Sequence, residues 1–169
     1  MLSVRQADRA GDLGWVVMVH GEVYHREFGW TTAFETMVAR IVADFAAGHD
    51  PAREALWIAE RDGERVGSVA LVADDMPDVA RLRVLLVSPA ARGLGAGARL
   101  VRQALEFALD RGYRRVVLWT VDGLESARKI YQAEGFVLAG AEPHAGFGHP
   151  VTGQTWVLEL AARRHSMVR

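Results

Sequence analysis

The sequence contains no cysteine, so disulfides, thiolate metal sites and cysteine nucleophiles are excluded together, and nothing in it speaks for an oxidising compartment. Net charge is also nearly absent: 20 Lys and Arg stand against 21 Asp and Glu, a formal charge of -1 at pH 7. The global basic field that draws in nucleic acid or a membrane surface is therefore missing, and neither is expected as a partner. No apolar run approaches bilayer length, and Met1-Leu2-Ser3-Val4-Arg5 lacks the basic start and apolar stretch of a leader. The expected location is the cytoplasm. Low-complexity segments and internal repeats are lacking too, and Gly and Pro fall where elements should turn.

What is present is enough apolar material for one core: 50% of the 169 residues are hydrophobic, and a single domain over 1–169 is expected. Residues 2–6 read as a short strand, and Val16, Val17, Val19, Val23 and Tyr24 as a helix ending near Glu27. Thr31 or Thr32 can cap a second helix, whose apolar set Phe34, Met37, Val38, Ile41, Val42 and Phe45 recurs at helical spacing before Gly48. The period then changes. Residues 56–59 and 66–72 read as strands joined at Asp62-Gly63, a two-residue hairpin signal. Residues 81–87 alternate and then become continuously apolar up to Ser88-Pro89, which predicts a strand whose end is buried on both faces. A long helix to Gly112, a strand over 116–119, a helix over 124–134 and strands at 136–142 and 154–160 complete a mixed α/β pattern, hairpins first and crossovers later.

Between the third of these strands and the long helix stands Arg92-Gly93-Leu94-Gly95-Ala96-Gly97. The stripe Leu100, Val101, Ala104, Leu105, Ala108 and Leu109 places these glycines at the helix's amino end. Such an end presents free N–H groups and a positive dipole, and glycine lets a phosphate come close to the backbone. From Arg92 to Arg102 there is no acidic side chain, while Arg92, Arg99 and Arg102 are basic; the anion that a helix start attracts is left for a ligand. Glycines at this place also serve tight connections and close helix packing. A P-loop fails because no Gly-Lys-Ser/Thr follows. The dinucleotide fingerprint fits Gly93 to Ala98 literally, with Asp122 ending the next strand as a ribose-binding acid would. Against it, Pro89 to Arg92 separate the strand from the first glycine, and the residues after Asp122 are too few for a doubly wound sheet.

The run from Val87 to Gly97 resembles the acetyl-CoA motif of the GNAT acetyltransferases, R/Q-x-x-G-x-G/A, with Arg92, Gly95 and Gly97 at its fixed positions. Downstream, Ala127-Arg128-Lys129-Ile130-Tyr131-Gln132-Ala133-Glu134-Gly135-Phe136 is similar to the family's A-x-x-x-Y-x-x-x-G-F segment, in the same order. The likeness extends over nearly the whole chain and is closest to the acetyltransferase half of bacterial proteins that fuse a MarR-type DNA-binding domain to a GNAT domain. No MarR-type segment stands in this sequence, and no DNA-binding role is expected. The resemblance implies an α/β GNAT acyl-CoA N-acyltransferase fold, a mixed central sheet of about six to seven strands flanked by about four helices. It also implies transfer of an acetyl group from the cosubstrate acetyl-CoA to a primary amine of a small molecule by direct attack. The alternative is a non-catalytic acetyl-CoA-binding sensor or interaction module of the same fold.

Carried onto this chain, the resemblance assigns Leu85, Leu86 and Val87 to the pantetheine arm and Arg92, Gly93, Leu94, Gly95, Ala96, Gly97 and Ala98 to the pyrophosphate. Tyr131 is the expected general acid, since a phenol's pKa near 10 suits proton transfer to a leaving thiolate. The family often has Asn where Leu124 stands and a basic Glu where Trp119 stands, so the base comes from elsewhere or from water. The acceptor pocket is implied in residues 20–30. His20, Tyr24 and Glu27 share a helical face there, which reads either as a convergence on an amine or as an ordinary solvated face. Glu27 is the base candidate; Tyr24, Trp30 and His144 are expected at the substrate, with His144 and His149 as rival bases. Trp15, Phe28, Trp30 and Phe34 suggest an aromatic pocket or simply core. No metal is expected, because these histidines lack helical spacing and a carboxylate partner. Two-fold pairing through the carboxy-terminal strands would suit the fold.

Overall fold

The computed structural model of the protein describes residues 1–161 and 163. The chain runs β1 (Leu2–Gln6), α1 (Asp12–Phe28), α2 (Thr32–Gly48), β2 (Ala55–Arg61), β3 (Glu64–Ala73), β4 (Val79–Val87), α3 (Ala96–Asp110), β5 (Arg115–Val121), α4 (Glu125–Glu134), β6 (Val137–His144) and β7 (Val151–Glu159), with a short 3₁₀ turn at Pro89–Ala91. Asp62 and Gly63 turn β2 into β3 with φ of 52° and 85°, both positive, as a two-residue hairpin of this twist requires. Thr31 rather than Thr32 caps α2, its side chain accepting the Ala33 N–H. Among the described residues no helix is long and apolar enough to cross a membrane.

The seven strands form one sheet in the order β1-β2-β3-β4-β5-β7-β6. Only β4 and β5 pair in parallel. Strand residues alternate between faces. Trp57, Ala59, Leu71 and Leu82 pack against Leu100, Ala104 and Leu105 of α3. Leu56, Ile58 and Ala70 pack against Val16, Val23, Val38 and Val42 of α1 and α2. The sheet is thus sandwiched between two helical layers, and a fully buried Leu such as Leu100 or Leu105 contributes about 1.5–3 kcal/mol by leaving water.

The regularity breaks in β4. Its register against β3 slips between Ser68 and Ala70, and Val84 takes φ 49°, a left-handed conformation that β-branched residues seldom adopt. The bulge reverses the facing of the side chains beyond it: Leu82 faces the α3 layer, whereas Val84 and Leu86 face the α1–α2 layer and Leu85 turns back to the first. Ser68, fully buried, donates its hydroxyl to the Val84 carbonyl at 2.8 Å. Parallel pairing of β4 with β5 runs only from Val79↔Arg115 to Leu82↔Leu118. Beyond that β5 stays with β7 as far as Val121↔Gly153, and the two strands part. The expected burial of the end of β4 on both faces therefore does not hold: Arg83 is exposed and Leu85 and Val87 are half-buried, because this stretch borders the opening.

Helix α1 is fixed over that opening by its first turn. The Asp12 carboxylate, wholly buried, accepts hydrogen bonds from Arg5 Nη1 and Nη2 at 2.7 and 3.0 Å, from Arg65 Nε at 2.7 Å and from the Arg9 N–H at 2.9 Å. Led by Arg5, these bonds hold its carboxyl well below the usual carboxylate range despite burial. A folded-state value depressed in this way stabilises the fold above the unfolded value of about 3.9, and the contribution is lost as pH falls through the lower one. Asp12→Ala should lower the unfolding free energy at pH 7 by about 3 kcal/mol. The wild type's advantage should shrink below about pH 4, as measured by urea unfolding across a pH series.

Candidate active site

Where β4 and β5 part, a cleft of about 510 Å³ opens at the sheet's surface. Leu85, Leu86 and Val87 form its floor, the turn of residues 91–98 one wall, Gly123 to Ala127 with Ile130 the other, and Tyr24, Glu27 and Phe28 of α1 close it from above. Gly93 and Gly95 both take φ 79°, and a Cβ on either would meet nothing within 4 Å; the left-handed backbone requires glycine, and the space beside it is open. Gly95 caps α3 without a side chain, and the first turn carries no acid. Among the described residues the N–H groups of Ala96, Gly97 and Ala98 find no acceptor in the protein. These donors, the dipole end and Arg92 form a cradle whose chemistry fits a diphosphate. Gly97 also has the packing role: a Cβ there would lie 2.7 Å from Ile130 Cδ1 and 3.3 Å from Val87 Cγ2. Of the expected cofactor set, only Leu94 stays out of the cleft, its side chain turned to solvent.

A second, smaller cavity of about 130 Å³ runs between the separated ends of β4 and β5 beneath α1 and α2. The two cavities share Tyr24, Leu85, Leu124 and Ala127. Its walls are aromatic: Tyr24 and Trp30 have ring centroids 5.1 Å apart, Trp30 and Phe34 4.8 Å, and Trp30 and Phe147 4.8 Å. Tyr131 lines it from the α4 side, buried to 5% exposure. Burial, with Tyr24 nearby, pushes its phenol well above the usual value. Burial likewise pushes Tyr24 up to about 12, with Arg92 opposing the rise and Glu27 adding to it. Neither hydroxyl has a hydrogen-bond partner among the described residues. His20 Nδ1 lies 2.7 Å from the Val16 carbonyl, so it carries the proton and donates, which leaves Nε2 as a bare lone pair. Burial lowers this histidine to about 4, and the ring stays neutral near pH 7. His20 and Tyr24 are therefore inside the protein and not on a solvated face.

Other expected residues are placed less directly. Glu27 faces the first cleft, where Arg92 grips its carboxylate with both guanidinium Nη groups, Nη2 to Oε2 at 2.9 Å. His144 packs its ring 5.2 Å from Trp119 and 4.7 Å from Phe147, outside the lining of both cavities. His149 is exposed. Trp15 takes no part in the aromatic cluster, and Phe28 belongs to the first cleft. Asp122 accepts the Thr152 N–H at 3.1 Å, tying β5 to β7, a structural role in place of a ribose contact. Two contributors carry no periodic signal in the sequence. One is the Ser68–Val84 bulge; the other is Phe147, 3% exposed on the β6–β7 connection.

Residues 21–136 match the family model described as the acetyltransferase (GNAT) family. N-acetyltransferase family 8 member 2 of Rattus norvegicus is 38% identical over 103 residues, 59% of this chain and 46% of that protein. N-acetylaspartate synthetase of Homo sapiens is 35% identical over 119 residues, 70% of this chain and 37% of that protein. The chain thus spans less than half the length of these curated relatives. Among solved structures, an acetyltransferase of the GNAT family from Staphylococcus aureus superposes with a TM-score of 0.79 at 16% identity, covering 95% of this chain and 99% of that one. YncA of Salmonella typhimurium, solved with its cofactor acetyl-CoA, gives 0.74 at 17% identity, covering 95% and 94%. The family match takes in the parted strands, the glycine turn and Tyr131 together, over most of the chain: this protein belongs to the acetyltransferase (GNAT) family.

Proposed function

We propose that this protein transfers an acetyl group from acetyl-CoA to a primary amine of a small molecule. The observation that carries the reading is the junction of two cavities, one walled by a phosphate-binding turn and the other by aromatic rings, at the point where β4 and β5 separate. Bound acetyl-CoA would supply the acyl group already activated as a thioester. The free N–H groups of Ala96, Gly97 and Ala98 would hold its diphosphate. Residues 83–87 pair with β3 on one edge and, among the described residues, have no strand on the other, so that open edge can take the amides of an extended arm as a missing strand would.

Burial raises the Tyr131 phenol above the value near 10 expected from the sequence, so it keeps its proton near neutral pH but is a weaker acid than that match assumed, and it would give the proton up only to a fully formed leaving thiolate. Glu27, the base candidate, would take the proton of an ammonium at the mouth of the cleft. Small size favours a small acceptor, since the second cavity of about 130 Å³ has room for a slender amine. N-acetylaspartate, in the name of the human relative, is itself an acetylated small amine.

One observation favours a second reading. Leu124 and Trp119 are apolar where the family's usual polar contacts stand and both face the second cavity, as they would in a module that binds acetyl-CoA without turnover. Release of free thiol from acetyl-CoA against a panel of amines separates the two: acceptor-dependent release supports the enzyme, and binding without it supports the sensor. Coenzyme A at 100 times its Kd should stabilise the fold by about 2.7 kcal/mol in thermal unfolding, and NAD should not. Tyr131→Phe should lower kcat by about 10²-fold while leaving coenzyme A affinity unchanged, since Tyr131 lies outside the cleft's lining; unchanged kcat removes it from the chemistry.

A further inference from the structure

Glu27 lies in the last turn of α1 and Arg92 precedes α3, 65 positions apart in sequence, yet they meet as a two-pronged ion pair across the mouth of the larger cleft. A carboxylate in the wall of a cleft suited to a polyanion is out of place on charge alone, since like charges brought together oppose binding. Arg92 cancels that charge in the free protein. Its planar fork fits a carboxylate and a phosphate equally well and cannot grip both with the same two N–H groups. Of the two, a diphosphate carries the greater charge, and it alone also meets the open amides at the start of α3.

We propose that Arg92 changes partner: it masks Glu27 in the free protein, the diphosphate of acetyl-CoA draws it away, and the unmasked Glu27 carboxylate then receives the cationic amine of the acceptor. The inference rests on the acetyl-CoA reading above and assigns the coupling between cofactor and amine to this one pair of side chains. Tyr24 lies beside this exchange, one turn before Glu27 on α1, and lines both cavities. The amine received at Glu27 thus stands next to the passage into the aromatic cavity. Thermodynamic linkage makes the effect mutual: whatever cofactor does for amine affinity, amine does for cofactor affinity.

Calorimetric titration with coenzyme A, which has no acetyl group to lose, tests the exchange on Glu27→Gln. The replacement is isosteric at an exposed helix position and leaves the core untouched. With the competing charge gone, the variant should bind coenzyme A about threefold to tenfold more tightly than wild type. The KM of the best amine from the acceptor panel should rise more than about tenfold. If Glu27→Gln binds coenzyme A as wild type does, or more weakly, the pair is a fixed clip that holds Arg92 in place and the exchange is wrong. Failure of the wild type itself to bind coenzyme A overturns the acetyl-CoA reading and this inference with it, a result distinct from tight wild-type binding that Glu27→Gln fails to improve.

Discussion

The Ser68 hydroxyl donates to the Val84 carbonyl in the buried middle of the sheet, and that bond helps hold a β-branched residue in a backbone conformation costing of order 1–3 kcal/mol. Without the bulge at Val84, β4 would run on beside β5 in parallel and the sheet would close over residues 83–87. With it, β4 turns aside after Leu82 and β5 keeps to β7. Cleft, aromatic cavity and the open strand edge are all consequences of that divergence. A buried hydroxyl with one partner is a modest interaction, about 1 kcal/mol net, but it acts at the bend itself, beside the packing of Val84 in the α1–α2 layer.

The divergence also separates two kinds of recognition. Along the larger cleft the protein offers backbone: amides of α3's first turn and, among the described residues, an unpaired strand edge, with glycine at the close approaches. Such groups are nearly indifferent to the identity of neighbouring side chains. Around the smaller cavity it offers side chains, a cluster of Tyr24, Trp30, Phe34 and Phe147. Among the described residues only Tyr24, Leu85, Leu124 and Ala127 belong to both, so the two cavities communicate through few atoms. The anchoring of α1 by Asp12 matters for the same reason, because it fixes the helix that carries Tyr24 and Glu27.

Much of this was legible in the sequence. Helical stripes, the Asp62-Gly63 hairpin and the uncapped start of α3 are local patterns, written in residues close together, and they read out directly. The bulge is not local in that sense. Val84 sits in an apolar run that looks like any buried strand, and the signal that would reveal it, Ser68, lies on another strand and is an ordinary polar residue there. The grip of Arg92 on Glu27 is invisible for a similar reason, since only the fold brings a helix end and a distant turn together. His144 reads as a reactive histidine from its position in a polar loop, yet its ring meets Trp119 and Phe147 edge-on, outside the lining of both cavities. Burial decides such cases, and burial is a property of the assembled chain.

Phe147 lies on the connection between β6 and β7 and reaches back into the aromatic cavity, and its carbonyl accepts the Thr31 N–H at 3.1 Å. The segment that matches the family model ends at residue 136, so this wall of the cavity is built from chain beyond the recognised region. Change in that connection can therefore reshape what the cavity admits while the glycine turn before α3 is left alone.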